Sequence, residues 1–141
     1  MSLRYFEDFA VGQKFGSEAR LVEAADIKAF AAQFDPQPFH VDEAAASGWH
    51  TAAMTMRLCL SSDFRPAGGI VGGGGELTWS KPVRPGDRLR VQIEVVETRA
   101  SRSRPGQGLV KVHIATLNQH DETVQTFSPT LLVDRRIPAE G

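Results

Sequence analysis

The segment WHTAAMTMRLCLSS, residues 49–62, decides the fold, because apolar residues recur in it at steps of three and four. That spacing is typical of an amphipathic helix. Further apolar residues widen the stripe until it covers almost the whole circumference, and a helix of this kind has to be enclosed. The repeating positions are Trp49, Ala52, Ala53, Met56 and Leu60, and the widening positions are Met54, Leu58 and Cys59. A central, buried helix is therefore predicted over Trp49–Ser62.

Beyond this helix the pattern changes to that of strands. Residues 89–95, LRVQIEV, place an apolar side chain at every second position, which is typical of a sheet with one covered face. Leu109–Leu117 and Thr123–Val133 are predicted as further strands, joined by a hairpin loop over residues 118–122. The chain after the central helix is thus predicted to be an antiparallel meander.

Ahead of the central helix, helical spacing predicts a short helix over Glu23–Phe34, with Ile27, Phe30, Ala31 and Phe34 on its buried face. A strand is predicted within residues 14–22, and a further helical turn over residues 42–46. Helices followed by an antiparallel meander indicate an α+β fold. A long antiparallel sheet wrapped around one apolar helix is the hotdog fold.

Length and composition predict one domain over residues 1–141, because 141 residues with 41% hydrophobic content can bury a single core. Sixteen basic and seventeen acidic residues give a net charge of −1, which excludes a general attraction to nucleic acid or an anionic membrane. No membrane span or leader pattern is recognised, and the lone Cys59 suits a reducing compartment. We expect a cytoplasmic protein whose termini, Met1-Ser2-Leu3 and Glu140-Gly141, derive from expression.

The segment FDPQPFH, residues 34–40, carries the candidate chemistry. Asp35 and His40 stand five residues apart on a segment that Pro36 and Pro38 stiffen. A carboxylate and an imidazole are the parts of a general acid/base pair. The alternative is a turn that caps the preceding helix, followed by a hydrogen-bonded loop histidine, which is the commoner role of an isolated pair. The remaining histidines have no neighbours at metal-ligand spacing, so no metal is expected.

Three segments occur in a characteristic order: residues 34–40, residues 48–52 (GWHTA) and residues 81–87 (KPVRPGD). Together they resemble the motifs of the MaoC-like, R-specific enoyl-CoA hydratases, and the resemblance extends over most of the chain. Three departures from the family are visible. Gln37 occupies an asparagine position, Met56 occupies a position where some members carry a hydroxyl that supports the aspartate, and only seven residues separate His40 from Gly48.

The resemblance implies a hotdog fold and the reversible hydration of a trans-2-enoyl-CoA to a 3-hydroxyacyl-CoA. Asp35 and His40 would be the catalytic acid/base pair, and Gly48, Gln37 and Trp49 the oxyanion and substrate-binding residues. Gly48 also suits this role by its position, since backbone N–H groups at a helix start favour an oxyanion. Coenzyme A would enter only as part of the substrate, and no other cofactor is expected.

Two alternatives stay open. A hotdog thioesterase would use a carboxylate to direct water at the carbonyl carbon. A non-catalytic acyl-binding paralogue would fit the departures at Gln37, at Met56 and in the short link. In each case we expect at least a homodimer, because a single curved sheet leaves edge strands to be paired or covered. The glycine-rich strand Gly72–Trp79 is the predicted seam.

Overall fold

The computed structural model describes residues 2–41 and 45–136. After a short 3-10 turn at Phe6–Asp8, the helices are α1 (Ala24–Phe34), α2 (Pro38–Val41) and α3 (Gly48–Ser61). The strands are β1 (Lys14–Gly16), β2 (Arg20–Leu21), β3 (Val71–Trp79), β4 (Arg88–Ala100), β5 (Gln107–Leu117) and β6 (Thr123–Asp134). The predicted strand within residues 14–22 is interrupted, and the predicted helical turn over 42–46 falls largely outside the described residues.

The strands form one antiparallel sheet in the order β1-β4-β5-β6-β3, with β2 pairing the start of β4. The alternation predicted for β4 is confirmed, since Leu89, Val91, Ile93 and Val95 are completely buried. The long strands β4, β5 and β6 form the middle of the sheet, and β3 lies at one edge. The predicted α+β architecture, a long antiparallel sheet around one helix, is confirmed as the hotdog fold.

Helix α3 lies where it was predicted, but the prediction that it is enclosed all round is wrong for the single chain. The face with Met54, Leu58 and Cys59 is buried against the sheet. The stripe that defined the pattern is largely exposed; its exposed members are Trp49, Ala53, Met56 and Leu60. Apolar residues occur on both sides of the helix, so spacing alone does not indicate which side meets the sheet.

Polar residues on the covered side of α3 are hydrogen-bonded to the sheet. The Thr55 hydroxyl lies 2.7 Å from that of Thr116 on β5 and accepts a 3.0 Å hydrogen bond from the side-chain amide of Gln125 on β6. All three residues are at most 3% exposed. Because buried polar groups without partners are costly, this chain of hydrogen bonds fixes the register between helix and sheet.

Helix α1 begins and ends within one residue of the prediction. Ile27 and Ala31 are fully buried as expected, whereas Phe34 at the end of the helix is 65% exposed. The C-terminal end of α1 projects beyond the core. Phe34 is therefore exposed to solvent beside the candidate site. Among residues 2–41 and 45–136, no helix has the length and apolar character needed to cross a bilayer.

Cys59 is a buried thiol in the folded chain. It is 2% exposed, and burial raises its pKa to about 12. Since the thiolate is the reactive form, we expect native protein to remain unlabelled by iodoacetamide at neutral pH over hours, and urea-unfolded protein to be labelled once per chain. Mass spectrometry measures both. Rapid labelling under native conditions would contradict the burial of this side chain.

Candidate active site

The segment between α1 and α2 places Asp35. Its backbone N–H donates to the carbonyl of Ala31 at 2.9 Å and ends α1, while Pro36 prevents the helix from continuing. Pro38 then occupies the first position of α2, where a missing N–H costs nothing. The sequence thus turns the chain sharply and brings residue 40 back toward residue 35.

Asp35 and His40 are in direct contact, with 3.2 Å between Oδ2 of the carboxylate and Nε2 of the imidazole. Their side chains are 16% and 10% exposed, so the pair lies in a largely dry environment that water can still reach. The alternative of a loop histidine does not describe His40, which belongs to a helical turn and is buried. The ring of Phe39 packs edge-on against it, with 4.4 Å between centroids.

The second ring nitrogen of His40 defines its tautomer. Nδ1 lies 2.7 Å from the carbonyl oxygen of Ala45, and a carbonyl can only accept, so Nδ1 carries a proton. In the neutral ring, Nε2 therefore presents a lone pair next to the Asp35 carboxylate. Two proton acceptors held together in this way can share a proton donor such as a water molecule.

Gln37 and Ser47 stabilise the charged form of Asp35. The side-chain amide of Gln37 donates to Oδ1, and this hydrogen bond is the largest cause that lowers the pKa of Asp35, followed by one from the Ser47 hydroxyl. The glutamine side chain is longer than the asparagine of the resembling family, but the structure still places its amide in contact with the Asp35 carboxylate. Ser47 also caps α3, since its Oγ accepts a hydrogen bond from the Trp49 N–H at 3.2 Å.

Gly48 begins α3 and faces the same cleft as His40. The cleft has a volume of about 340 Å³, and Thr51, Trp79 and Lys81 also line it. As the first residue of α3, Gly48 has a backbone N–H without an intrahelical partner. A Cβ at residue 48 would overlap the indole of Trp79, lying 2.7 Å from its Cδ2. Only glycine therefore fits here with the indole in place.

Trp49 does not line this cleft. It is 61% exposed and faces a second, apolar groove of about 410 Å³ between α3 and the β3 side of the sheet. Other residues around this groove include Ala52, Met56, Cys59, Leu77, Ile114 and Phe127. The structure therefore places His40 and Gly48 on the cleft, with Asp35 in contact with His40 and Gln37 in contact with Asp35. Trp49 lies beside a neighbouring cavity.

The other histidines lie apart from the pair. His50 is buried on α3 and stacks on Phe30 with 4.7 Å between ring centroids, and burial lowers its pKa. His113 lies in β5 and contacts Ser128 at 3.0 Å. Within the described ranges, 2–41 and 45–136, no three His, Cys, Asp or Glu side chains are grouped as metal ligands.

The arrangement contains the groups that general acid/base chemistry on a water molecule needs. An ionised carboxylate and a tautomer-fixed imidazole flank one position, and a helix N-terminus lies in the same cleft. Residues 9–127 match the family model of the FAS1-like dehydratase domain region, a span that contains all of these residues. The chain therefore belongs to this dehydratase family, and its resemblance to MaoC-like proteins is confirmed.

Individual relatives agree with this assignment. A MaoC-like dehydratase from Rhodospirillum rubrum, known from a crystal structure, is 49% identical, with a TM-score of 0.91 over 95% of this chain and 99% of that one. The uncharacterised protein YdeM of Bacillus subtilis (strain 168) is 31% identical over 140 residues, covering 92% of this chain and 98% of YdeM. The mesaconyl-CoA hydratase of Haloarcula marismortui is 30% identical over 107 residues, 75% of this chain but 28% of that longer protein.

Proposed function

We propose that this chain catalyses the reversible hydration of a trans-2-enoyl-CoA to the 3-hydroxyacyl-CoA. The observation that carries the proposal is the 3.2 Å contact between Asp35 and His40 at the edge of a cleft that also holds the start of α3. Membership of a dehydratase family supports the reaction class. The similarity to a mesaconyl-CoA hydratase supports coenzyme A as the carrier.

The proposed reaction follows from the charges around the cleft. A water hydrogen-bonded to both Asp35 Oδ2 and His40 Nε2 loses a proton to the pair as its oxygen attacks the β-carbon. The π electrons shift toward the thioester oxygen, which accepts a hydrogen bond from the Gly48 N–H, and the pair returns a proton to the α-carbon. Acid/base catalysis of this kind contributes ~10²–10⁴ in rate, and one oxyanion donor ~10²–10³.

This reaction requires no cofactor beyond the coenzyme A of the substrate, because the thioester carbonyl delocalises the developing charge. Gln37 and Ser47 assist by orienting the Asp35 carboxylate through hydrogen bonds that also favour its charged form. The ionised carboxylate can accept the proton of the attacking water. We therefore assign Asp35 and His40 as catalytic residues. Gln37 and Ser47 are assigned as residues that orient Asp35 and favour its ionised form.

Assays of a trans-2-enoyl-CoA panel test the proposal. We expect loss of the absorbance of the conjugated enoyl thioester without release of free thiol, and the reverse change with 3-hydroxyacyl-CoA. Release of free thiol would favour a thioesterase. Tight acyl-CoA binding without either change would favour a non-catalytic acyl-binding protein. Because Asp35→Asn removes the proposed acceptor but retains the shape of the side chain, it serves as the matched inactive control.

We also propose that the protein acts as a homodimer. Strand β3 pairs only with β6 among the described strands and presents its other edge to solvent. The exposed stripe of α3, with Trp49, Ala53, Met56 and Leu60, adds a continuous apolar surface on a helix that the sheet covers on one side only. Open edges and apolar surfaces of this kind are typical of interfaces, and a second copy would cover both with two-fold symmetry.

Ala53→Asp tests the dimer. Because Ala53 is exposed in the single chain rather than buried, the variant should fold with an unchanged far-UV circular dichroism spectrum. Two unpaired carboxylates would enter the interface, so we expect the dimer to weaken by on the order of hundredfold or more. Light scattering across a concentration series measures this change. Leu21→Asp, at an exposed apolar position on β2, is the matched control, and an Ala53→Asp protein that remains fully dimeric would contradict the proposed interface.

A further inference from the structure

The indole of Trp79 stands between the cleft and the apolar groove. On the cleft side, the ring occupies the space that a Cβ at residue 48 would take. On the groove side its ring meets that of Trp49 edge-on, with 5.1 Å between centroids. Its Nε1–H donates to the side-chain oxygen of Gln125, which also lines the groove, at 3.0 Å. The cleft and the groove have no lining residue in common.

Gln125 holds the indole in this position. It is 1% exposed, and its amide nitrogen donates to Thr55, which in turn contacts Thr116. If the indole swung away, the carbonyl oxygen of Gln125 would lose its partner in a buried environment, which is unfavourable. The nitrogen of Trp79 is therefore held by a network of buried side chains, although the residue as a whole is 43% exposed.

We propose that Trp79 determines substrate specificity by limiting the acyl group to short chains. This inference rests on the hydratase function proposed above. A thioester placed with its oxygen at Gly48 and its β-carbon near His40 would extend any longer chain toward the indole, which separates it from the apolar groove. Removing the indole would join the two cavities. Each methylene that then becomes buried in the groove would improve binding about fourfold, the equivalent of ~0.8 kcal/mol.

The test compares kcat/KM for trans-2-enoyl-CoA thioesters of four, six, eight and ten carbons. For the unchanged protein we expect the value to fall by at least about tenfold from four to eight carbons. Trp79→Ala should raise the ratio of the eight-carbon to the four-carbon value by on the order of a hundredfold, since four more methylenes gain access to the groove. Trp79→Phe, with a smaller ring and no N–H, should lie between the two.

Controls separate specificity from stability. Thr78→Ala changes the neighbouring residue, whose side chain points to the opposite face of β3, and should leave the ratio unchanged. A purely structural role of Trp79 would reduce turnover equally for all lengths, which would overturn the inference. If Trp79→Ala fails to fold, Trp79→Phe decides, because an unchanged length profile in that variant overturns the inference as well.

The two proposals can fail separately. An active protein that hydrates eight-carbon and four-carbon substrates equally well overturns the role of Trp79 but supports the hydratase. Absence of hydration at every chain length overturns the hydratase and with it the inference. Calorimetry with saturated acyl-CoA thioesters of the same lengths adds a measurement without turnover, because these thioesters cannot be hydrated. Tighter binding of the eight-carbon thioester to Trp79→Ala than to the unchanged protein would support the inference. Equal binding would oppose it.

Discussion

Replacing Asp35 by Asn or His40 by Asn is expected to lower kcat for hydration by about 10²–10⁴-fold each. The first change removes the ionised proton acceptor but retains the shape of the side chain. The second removes Nε2, whereas its side-chain amide can still donate to the carbonyl of Ala45, as Nδ1 of His40 does at 2.7 Å. The fold should therefore survive both changes, and steady-state kinetics with a saturating enoyl-CoA measures the loss.

The two losses should not be additive. If Asp35 and His40 act on one shared water, removing either abolishes the same step, so the double variant should be only a few-fold slower than the slower single variant. Asp121→Asn and His113→Ala are matched controls, because both side chains are exposed and lie outside the cleft. A double variant slowed by the product of the single effects would disprove a shared water, and full activity in either single variant would remove the assignment.

Periodicity in the sequence predicted the sheet well. Strand β4 has a period of two with one fully buried face, and only a half-covered strand satisfies that pattern. The phase of α3 could not be predicted in the same way. Apolar side chains occur on both of its faces, and the polar Thr55 on the covered side finds its side-chain partners only through tertiary contacts. Hydrophobicity alone therefore pointed to the wrong face.

The site shows the same division between local and tertiary information. Asp35, Gln37 and His40 lie within six residues, and the two prolines between them restrict the backbone, so a local motif was sufficient to select them. Ser47 could have been selected from the sequence as a residue near the site, since it precedes the helix that begins with Gly48. Trp79 and Gln125 could not, because 46 residues separate them and only strand pairing brings them into contact with each other.

Gly48→Ala is the second change expected to have a large effect, a reduction of kcat by about 10²–10³-fold. Alanine is the better helix former by ~1 kcal/mol, so helix propensity alone would predict a more stable α3. The structure predicts the opposite, because the added Cβ would overlap the Trp79 indole. Either the indole or the start of α3 has to shift, and the N–H proposed to stabilise the oxyanion then moves away from the thioester oxygen.

A second substitution distinguishes this steric cause from a general defect. In the Gly48→Ala/Trp79→Phe double variant the smaller ring makes room for the methyl group, so part of the lost kcat should return relative to Gly48→Ala. Gly106→Ala, at a glycine whose Cβ would meet nothing within 4 Å, is the control for glycine replacement and should keep full activity. Undiminished kcat in Gly48→Ala would show that neither the start of α3 nor the contact with Trp79 takes part in the reaction.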